Sequence, residues 1–220
     1  YQIIGSSISN IGIGNDFNLF EKNKQILFEK GYFDSKNKKN IPKYIRSLGI
    51  VSSKQAAGFR DCLYKIRSLN KCLDVYISPT SVQGKDCPKE IINAIYKLQD
   101  KPIDVIIICR GGGSSEDLIS FNDLGIIEAI RNSKIPIVTG IGHEKDISLS
   151  DLVADYKSIT PTAAAEKVTP NSNDLIKKLK DYKIFITNNT KFKFLKYYHN
   201  LQSCMEVIGK KTKEDLRSKL

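Results

Sequence analysis

The chain has 220 residues, 40% hydrophobic and 27% charged, which suits a globular protein of one substantial domain plus an extension. No apolar run approaches the roughly 20 residues that span a bilayer, so a membrane helix is excluded. The excess of 35 Lys and Arg over 24 Asp and Glu gives a net charge of +11, which favours a polyanionic partner such as nucleic acid over a merely lysine-rich composition.

The cysteines (Cys62, Cys72, Cys87, Cys109 and Cys204) are odd in number and form no C-x-x-C pair. They read as reduced thiols of a cytoplasmic protein rather than a disulfide framework or a zinc site. Two histidines are too few for a His-rich metal site. There is no signal-peptide pattern. The start at Tyr1 and the close on KEDLRSKL, inside a helical pattern, read as a piece of a longer protein.

In chain order, residues 1–20 hold the Gly/Ser/Asn-rich stretch SSISNIGIGNDFN, read as loop or trailing linker. LFEKNKQILFEKG, residues 19–31, predicts a short amphipathic helix closed by Gly31. RSLGIVSS, residues 46–53, predicts a strand. Ser52 then fits a helix N-cap with Gln55 as its capping-box partner, for a helix from about Lys54 to Leu69. LDVYISPT (73–80) predicts a second strand, and Cys87 to Leu98 a second helix.

Ile103–Cys109 is a third strand, and its run of isoleucines suits burial on both faces. After RGGG, Ser114 can cap a helix that continues or restarts at 121–133. Ile135–Thr139 is a fourth strand, followed by GIGHEKD, a short helix near 148–154 and a fifth strand, DYKSI (155–159). Thr160 and Pro161 mark a helix start as cap and first residue.

Strand and helix alternate at least four times. The fold class is therefore α/β, a parallel Rossmann-like sheet with helices on both faces. Residues 171–220 differ: apolar residues at 175, 179, 182, 186 and then 194, 198, 201, 205, 208 fall at heptad steps with a phase slip between the runs. This predicts a long C-terminal helical, coiled-coil-like extension, either one helix or a helical pair.

The chemistry gathers at strand ends. RGGGSSEDL presents consecutive backbone N–H groups at a predicted helix start, where phosphate is held by oriented amides and the helix dipole. Gly111, Gly112, Gly113, Ser114 and Ser115 are the candidate phosphate ligands, and Arg110 adds a planar, permanent cation. A glycine run alone could be a flexible turn; Arg110 at the strand end favours phosphate. The stretch is neither G-x-G-x-x-G nor a P-loop, so neither NAD nor ATP is signalled. His143 stands in a polar turn with Asp146 three residues on, an arrangement suited to general acid/base work. Ser52, Ser53, Thr80, Gln83 and Glu144 fall near the same edge as supporting groups. Asp61 alone reads as a solvated acid in its helix.

RGGGSSEDLISFND, then GIGHEKD, then DLVADYKSITPTAAAE resembles the family of large subunits of bacterial exodeoxyribonuclease VII. FEKGYFDSKNKKNIPKYIRSLGIVSS and YISPTSVQGKDCP are similar to the same family in the same order, so that the resemblance covers roughly residues 17–175. Relatives usually read S-P-T-G-A-A where this chain reads SSKQAAG, yet Asp61 still aligns.

The family carries an OB-fold domain before this region and a long helical segment after it. The resemblance therefore implies three parts: residues 1–40 as linker and short helix behind an OB domain outside this chain, 41–170 as the α/β catalytic domain, and 171–220 as the start of the helical arm. It implies hydrolysis of single-stranded DNA from either end to oligonucleotides with 5′-phosphates. By motif match the catalytic positions fall on Asp61, Arg110, His143 and Asp146.

The small helical subunit of the family would pack on the arm. No metal or other cofactor is expected as a requirement; Mg2+ is the cation that Asp61 and Asp146 would take, with Glu116 and Asp117 as spare carboxylates. Two rival classes are an enzyme acting on a small phosphorylated molecule and a non-catalytic module that binds single-stranded DNA or phosphate.

Overall fold

The computed structural model describes residues 13–82, 84, 86–111, 115–142 and 147–217, with the side chains of 13–17, 115–117 and 212–217 left out. The chain divides into two units, Tyr1–Asn171 and Ser172–Leu220.

In the first unit, α1 (Ile13–Glu29) precedes a run of strands and helices: β1 (Ser47–Ser52), α2 (Ala57–Leu69), β2 (Asp74–Pro79), α3 (Cys87–Gln99) and β3 (Val105–Cys109). A 3-10 helix (Ser115–Asn122), α4 (Leu124–Asn132), β4 (Ile137–Gly140), α5 (Leu149–Val153), β5 (Tyr156–Lys157) and α6 (Pro161–Val168) complete it. The five strands form one sheet in the order β2-β1-β3-β4-β5, with all pairings parallel. The α/β reading holds.

Both faces of the sheet are covered, and the period-2 alternation of the strands decides which residue goes where. Val51, Ile106, Ile108 and Ile137 pack against α3, α4 and α5. Leu48, Ile50, Val105, Ile107, Cys109 and Val138 pack against α2 and α6. Covering both faces is why β3 is isoleucine throughout its centre: Ile106, Ile107 and Ile108 are all fully buried, each worth roughly 1.5–3 kcal/mol relative to exposure.

The amino-terminal edge of the sheet is closed by carboxylates. Asp104 accepts hydrogen bonds from the Arg46 and Ser47 N–H groups at 2.7 and 2.9 Å, and the Ser47 hydroxyl donates to Pro102 O. Burial works against charge on Asp104, but these donors outweigh it and hold its carboxyl below the usual carboxylate range. Asp155 likewise accepts from Lys39 N–H at 2.6 Å and from Ile137 N–H at 2.7 Å.

Several local expectations change. Ser52 is the last residue of β1, fully buried, and its carbonyl accepts from Thr80 N–H at 3.0 Å. It caps no helix: α2 begins three residues later than expected, with Ala56 at the N-cap and no side-chain hydrogen bond there. The segment after the glycine run is a 3-10 helix as far as Asn122, and a new α-helix starts only where Asp123 accepts from Gly125 and Ile126 N–H. Ser114, the expected cap, lies outside the described residues. Residues 13–18, read as loop, belong to α1. Thr160 caps α6 as expected, accepting from Ala163 N–H at 3.1 Å, with Pro161 first in the helix.

The second unit is a single helix, α7 (Ser172–Arg217), of 46 residues rather than a helical pair, a length of about 69 Å. Its apolar residues at heptad steps, among them Ile176, Leu179, Tyr182, Ile186, Tyr198, Leu201 and Met205, are exposed. Among the described residues no helix is long and apolar enough to cross a membrane.

Candidate active site

The sheet order fixes where a ligand can sit. The chain runs from β1 outward to β2, then crosses back to β3 on the other side of β1, so the connections diverge between β1 and β3. A parallel sheet leaves a crevice at that point, outside the carboxyl ends of the strands. The register sets Val51 of β1 level with Ile108 of β3. Ser52 and Ser53 therefore follow on one side of the divergence, and Cys109 and Arg110 on the other.

Three glycines draw the surrounding elements onto this edge. A Cβ on Gly58, in the first turn of α2, would stand 2.6 Å from Arg110 O, 2.9 Å from Gly111 Cα and 3.0 Å from the Pro161 side chain. A Cβ on Gly111 would stand 3.2 Å from Gly58 N and 3.4 Å from Ala57 N. The start of α2 thus lies directly on the backbone that leaves β3. A Cβ on Gly140, at the end of β4, would stand 3.0 Å from Thr160 O and 3.1 Å from Pro161 Cα, so the start of α6 lies on β4 in the same way. Arg110 N–H donates to Gly140 O at 3.3 Å and ties the two strand ends together.

Arg110 is 4% exposed. Arg110 thus carries a permanent guanidinium charge at this edge, where water is largely excluded. The positive end of the α2 dipole, uncapped by any side chain, meets the same backbone. Asp61 stands one turn into α2, exposed, three residues beyond Gly58. Permanent cation, helix start and nearby carboxylate together suit an anionic ester: two groups to hold its oxygens and one to orient water.

Buried hydroxyls add a second mark. Among the described residues, Ser52, Thr80, Thr139 and Ser158 carry buried side-chain oxygens without a hydrogen-bond partner. They stand at the carboxyl ends of β1, β2, β4 and β5 respectively. Beside Ser52 lies the Cys109 thiol, a weak partner. At the amino edge, by contrast, Ser47, Asp104 and Asp155 are all bonded. Thr169 at the far end of α6 and one Asp151 oxygen are likewise unbonded, so four of the six such side-chain oxygens among the described residues stand at this edge, where a polar ligand would satisfy them.

Cys62 of α2 and Cys109 share a hydrogen bond inside the same core. That bond and burial push the Cys62 thiol well above the ordinary range, which leaves it protonated and unreactive.

The structure brings Asp61, Arg110, Gly111, Ser52, Ser53 and Thr80 to one edge. Ser115 opens the 3-10 helix there. His143, Glu144 and Asp146 lie outside the described residues, as do Gly112, Gly113, Ser114 and Gln83. The chain leaves β4 toward Gly142 at this edge and is taken up again by α5, whose capping box pairs Ser148 with Asp151. Sequence reasoning missed Thr139, Ser158, Gly140 and the contact role of Pro161. The polar residue closing IPIVTG was the available signal for Thr139. Among the described residues no three His, Cys, Asp or Glu side chains converge as a metal site would need.

Comparison with known proteins bears on this edge. The profile described as "Exonuclease VII, large subunit" matches residues 32–219. The chain is 43% identical over 182 residues to the exodeoxyribonuclease 7 large subunit of Carboxydothermus hydrogenoformans, covering 82% of this chain and 39% of that protein. It is 43% identical over 175 residues to the same subunit of Clostridium acetobutylicum, covering 79% of this chain and 44% of the relative. Against the subunit of Acholeplasma laidlawii it is 38% identical over 224 residues, covering 100% of this chain and 50% of the relative. The chain spans about half the length of the curated relatives it matches. A match over most of its residues, taken with the edge built by Arg110, Gly111 and the α2 start, places the chain in the exonuclease VII large-subunit family.

Proposed function

We propose that this chain is the catalytic part of a nuclease that hydrolyses phosphodiester bonds of single-stranded DNA from either end, leaving oligonucleotides with 5′-phosphates. The observation that carries the reading is the seating of the α2 start on Arg110 and Gly111 at the β1/β3 divergence. The start of α2, with its helix dipole and Asp61 one turn further on, packs on the same backbone that carries the Arg110 cation, which supports this reading.

In the reaction, a water oxygen bonds to phosphorus as the bond from phosphorus to the 3′ oxygen breaks. The phosphate stays on the 5′ oxygen of the downstream fragment, and the departing 3′ oxygen takes a proton to become a hydroxyl. Arg110 and the amides from Gly111 to Ser115 stabilise the charge on the phosphoryl oxygens, a contribution of several kcal/mol. His143 removes the proton from water and Asp146 orients its ring. Asp61 positions the water. Ser52, Ser53, Thr80, Gln83 and Glu144 support the strand and the loops.

The proposal requires no cofactor; if Mg2+ takes part, Asp61 and Asp146 are its ligands. The whole protein works in the cytoplasm, in DNA degradation and repair. The apolar seam of α7 receives the small helical subunit of the enzyme as a coiled coil.

The test is cleavage of end-labelled single-stranded DNA by the full-length protein with its small subunit, with and without excess chelator. Asp61→Ala, Arg110→Ala and His143→Ala should each lose most activity while chelator leaves it in place. Unchanged cleavage by His143→Ala would remove the catalytic assignment. Binding without any cleavage by the wild type would leave only a DNA-binding module.

A further inference from the structure

The helix that begins at the candidate site also leads away from it, with one face in the core and the other in solvent. Gly58, Phe59, Cys62 and Ile66 of α2 are buried. Lys54 just before the helix, Arg60, Tyr64 and Arg67 within it and Lys71 just after it are all exposed. Arg60, Tyr64 and Arg67 follow one another at steps of three or four residues and so share one helix face, and Lys71 stands just past the Asn70 C-cap with its carbonyl held by Arg67. Asp61 stands beside this row and is the only acid between Lys54 and Lys71.

Two features separate this row from an ordinary solvated face. First, its arginines are held in place. Arg60 donates to Gln55 O at 3.3 Å, and Arg67 donates to Lys71 O and Leu73 O at 3.2 and 2.9 Å. Each guanidinium has five N–H donors, so most remain for a ligand while the group is already positioned. Second, Tyr64 is 79% exposed, more than any other large apolar side chain among the described residues. Elsewhere Phe20, Tyr32, Tyr44 and Tyr156 lie under a lysine or arginine. Among the described residues Tyr64 is in no such pair, although cations flank it in sequence on both sides.

We infer that this face of α2 is a track for single-stranded nucleic acid: a base stacks on Tyr64, and Lys54, Arg60, Arg67 and Lys71 hold the phosphates on either side of it. The track rests on the nucleolytic reading above, since α2 starts on the Arg110–Gly111 edge and carries Asp61 beside the row. Its 13-residue helix offers about 20 Å of guidance. A duplex buries its base faces and cannot use the tyrosine, so the track selects single strands by stacking and draws them in by charge.

The experiment is anisotropy of a fluorescein-labelled oligothymidylate titrated with the full-length protein, alongside cleavage kinetics on the same strand. Tyr64→Ala should weaken binding about tenfold. KM should rise to match, kcat at saturating strand and the melting temperature should hold, and Tyr64→Trp should restore affinity. Binding of the corresponding duplex should be unmoved. Replacing Lys54 and Lys71 together by alanine should flatten the slope of log Kd against log salt by about 1.4 units. Unchanged single-strand affinity in Tyr64→Ala, an equal loss on duplex, or a loss that tryptophan leaves unrepaired would each overturn the track. The two proposals fail separately: normal cleavage with wild-type affinity in Tyr64→Ala removes the track alone, whereas a Tyr64-dependent affinity without cleavage removes only the hydrolytic reading.

Discussion

Gly58 and Gly111 meet backbone to backbone: a Cβ on Gly111 would stand 3.2 Å from the Gly58 nitrogen, and one on Gly58 would stand 2.6 Å from the carbonyl oxygen of Arg110. A side chain here meets main chain, which cannot swing aside as a flexible side chain would.

Gly58→Ala therefore reverses the usual sign of a glycine-to-alanine change in a helix. Such a change ordinarily gains up to about 1 kcal/mol. Here overpacking should cost roughly 1–3 kcal/mol, seen as a lowered melting temperature. Moving Arg110 and Gly111 by a fraction of an ångström should also cut turnover on single-stranded DNA by up to about a hundredfold.

Arg110→Lys keeps the charge and loses the planar fork. With the side chain 4% exposed, no solvent-side rearrangement replaces the lost donors. Turnover should fall by about 100- to 1000-fold, with circular dichroism confirming that the protein remains folded.

Asp155→Ala tests the opposite edge. Its carboxylate accepts from Ile137 N–H and Lys39 N–H and pairs with Lys39 Nζ at 3.4 Å. Removing it should cost about 3 kcal/mol in denaturant unfolding, while activity per folded molecule stays near wild type.

Asp104 gives a pH dependence of known sign. Its carboxyl is held below the ordinary value, so its contribution to stability is present above that value and lost as pH falls through the folded-state pKa. Asp104→Asn should lower the melting temperature at neutral pH and flatten its fall in acid; an equal acid slope in both proteins would contradict the assignment.

Thiol chemistry should divide the cysteines by depth. Cys72 and Cys204 are exposed, whereas Cys62, Cys87 and Cys109 are buried. An aromatic disulfide reagent should label the first two in the native protein and the other three only after unfolding, as mass spectrometry of the labelled peptides would show.

How much of this the sequence displayed depends on whether a signal is local. The β3 isoleucines, the Thr160-Pro161 helix start and the heptad steps of α7 each state their structure within a few residues, and each is found in the fold. The α2 start is different. Ser52 looks like a helix cap, but pairing with β2 claims it for the sheet, and the helix starts only at Ala57, where Gly58 meets Gly111. That contact joins residues more than 50 apart, and no local pattern carries it. Asp61 reads as solvated from its local pattern and is exposed; its position one turn beyond the α2 start comes from the helix that carries it. The hydroxyls of Thr139 and Ser158 matter only beside strands that the chain supplies elsewhere.

The Pro161 contact has a consequence for synthesis. Gly58 touches a residue roughly a hundred positions later in the chain, so the edge that gathers Arg110, Gly111 and the α2 start is closed only when α6 arrives. A ribosome-bound chain has already made β1, α2 and β3 while lacking this last wall. The growing polypeptide therefore carries this edge unfinished while the stretch from Gly111 to Pro161 is made, and closes it only when α6 packs against Gly58.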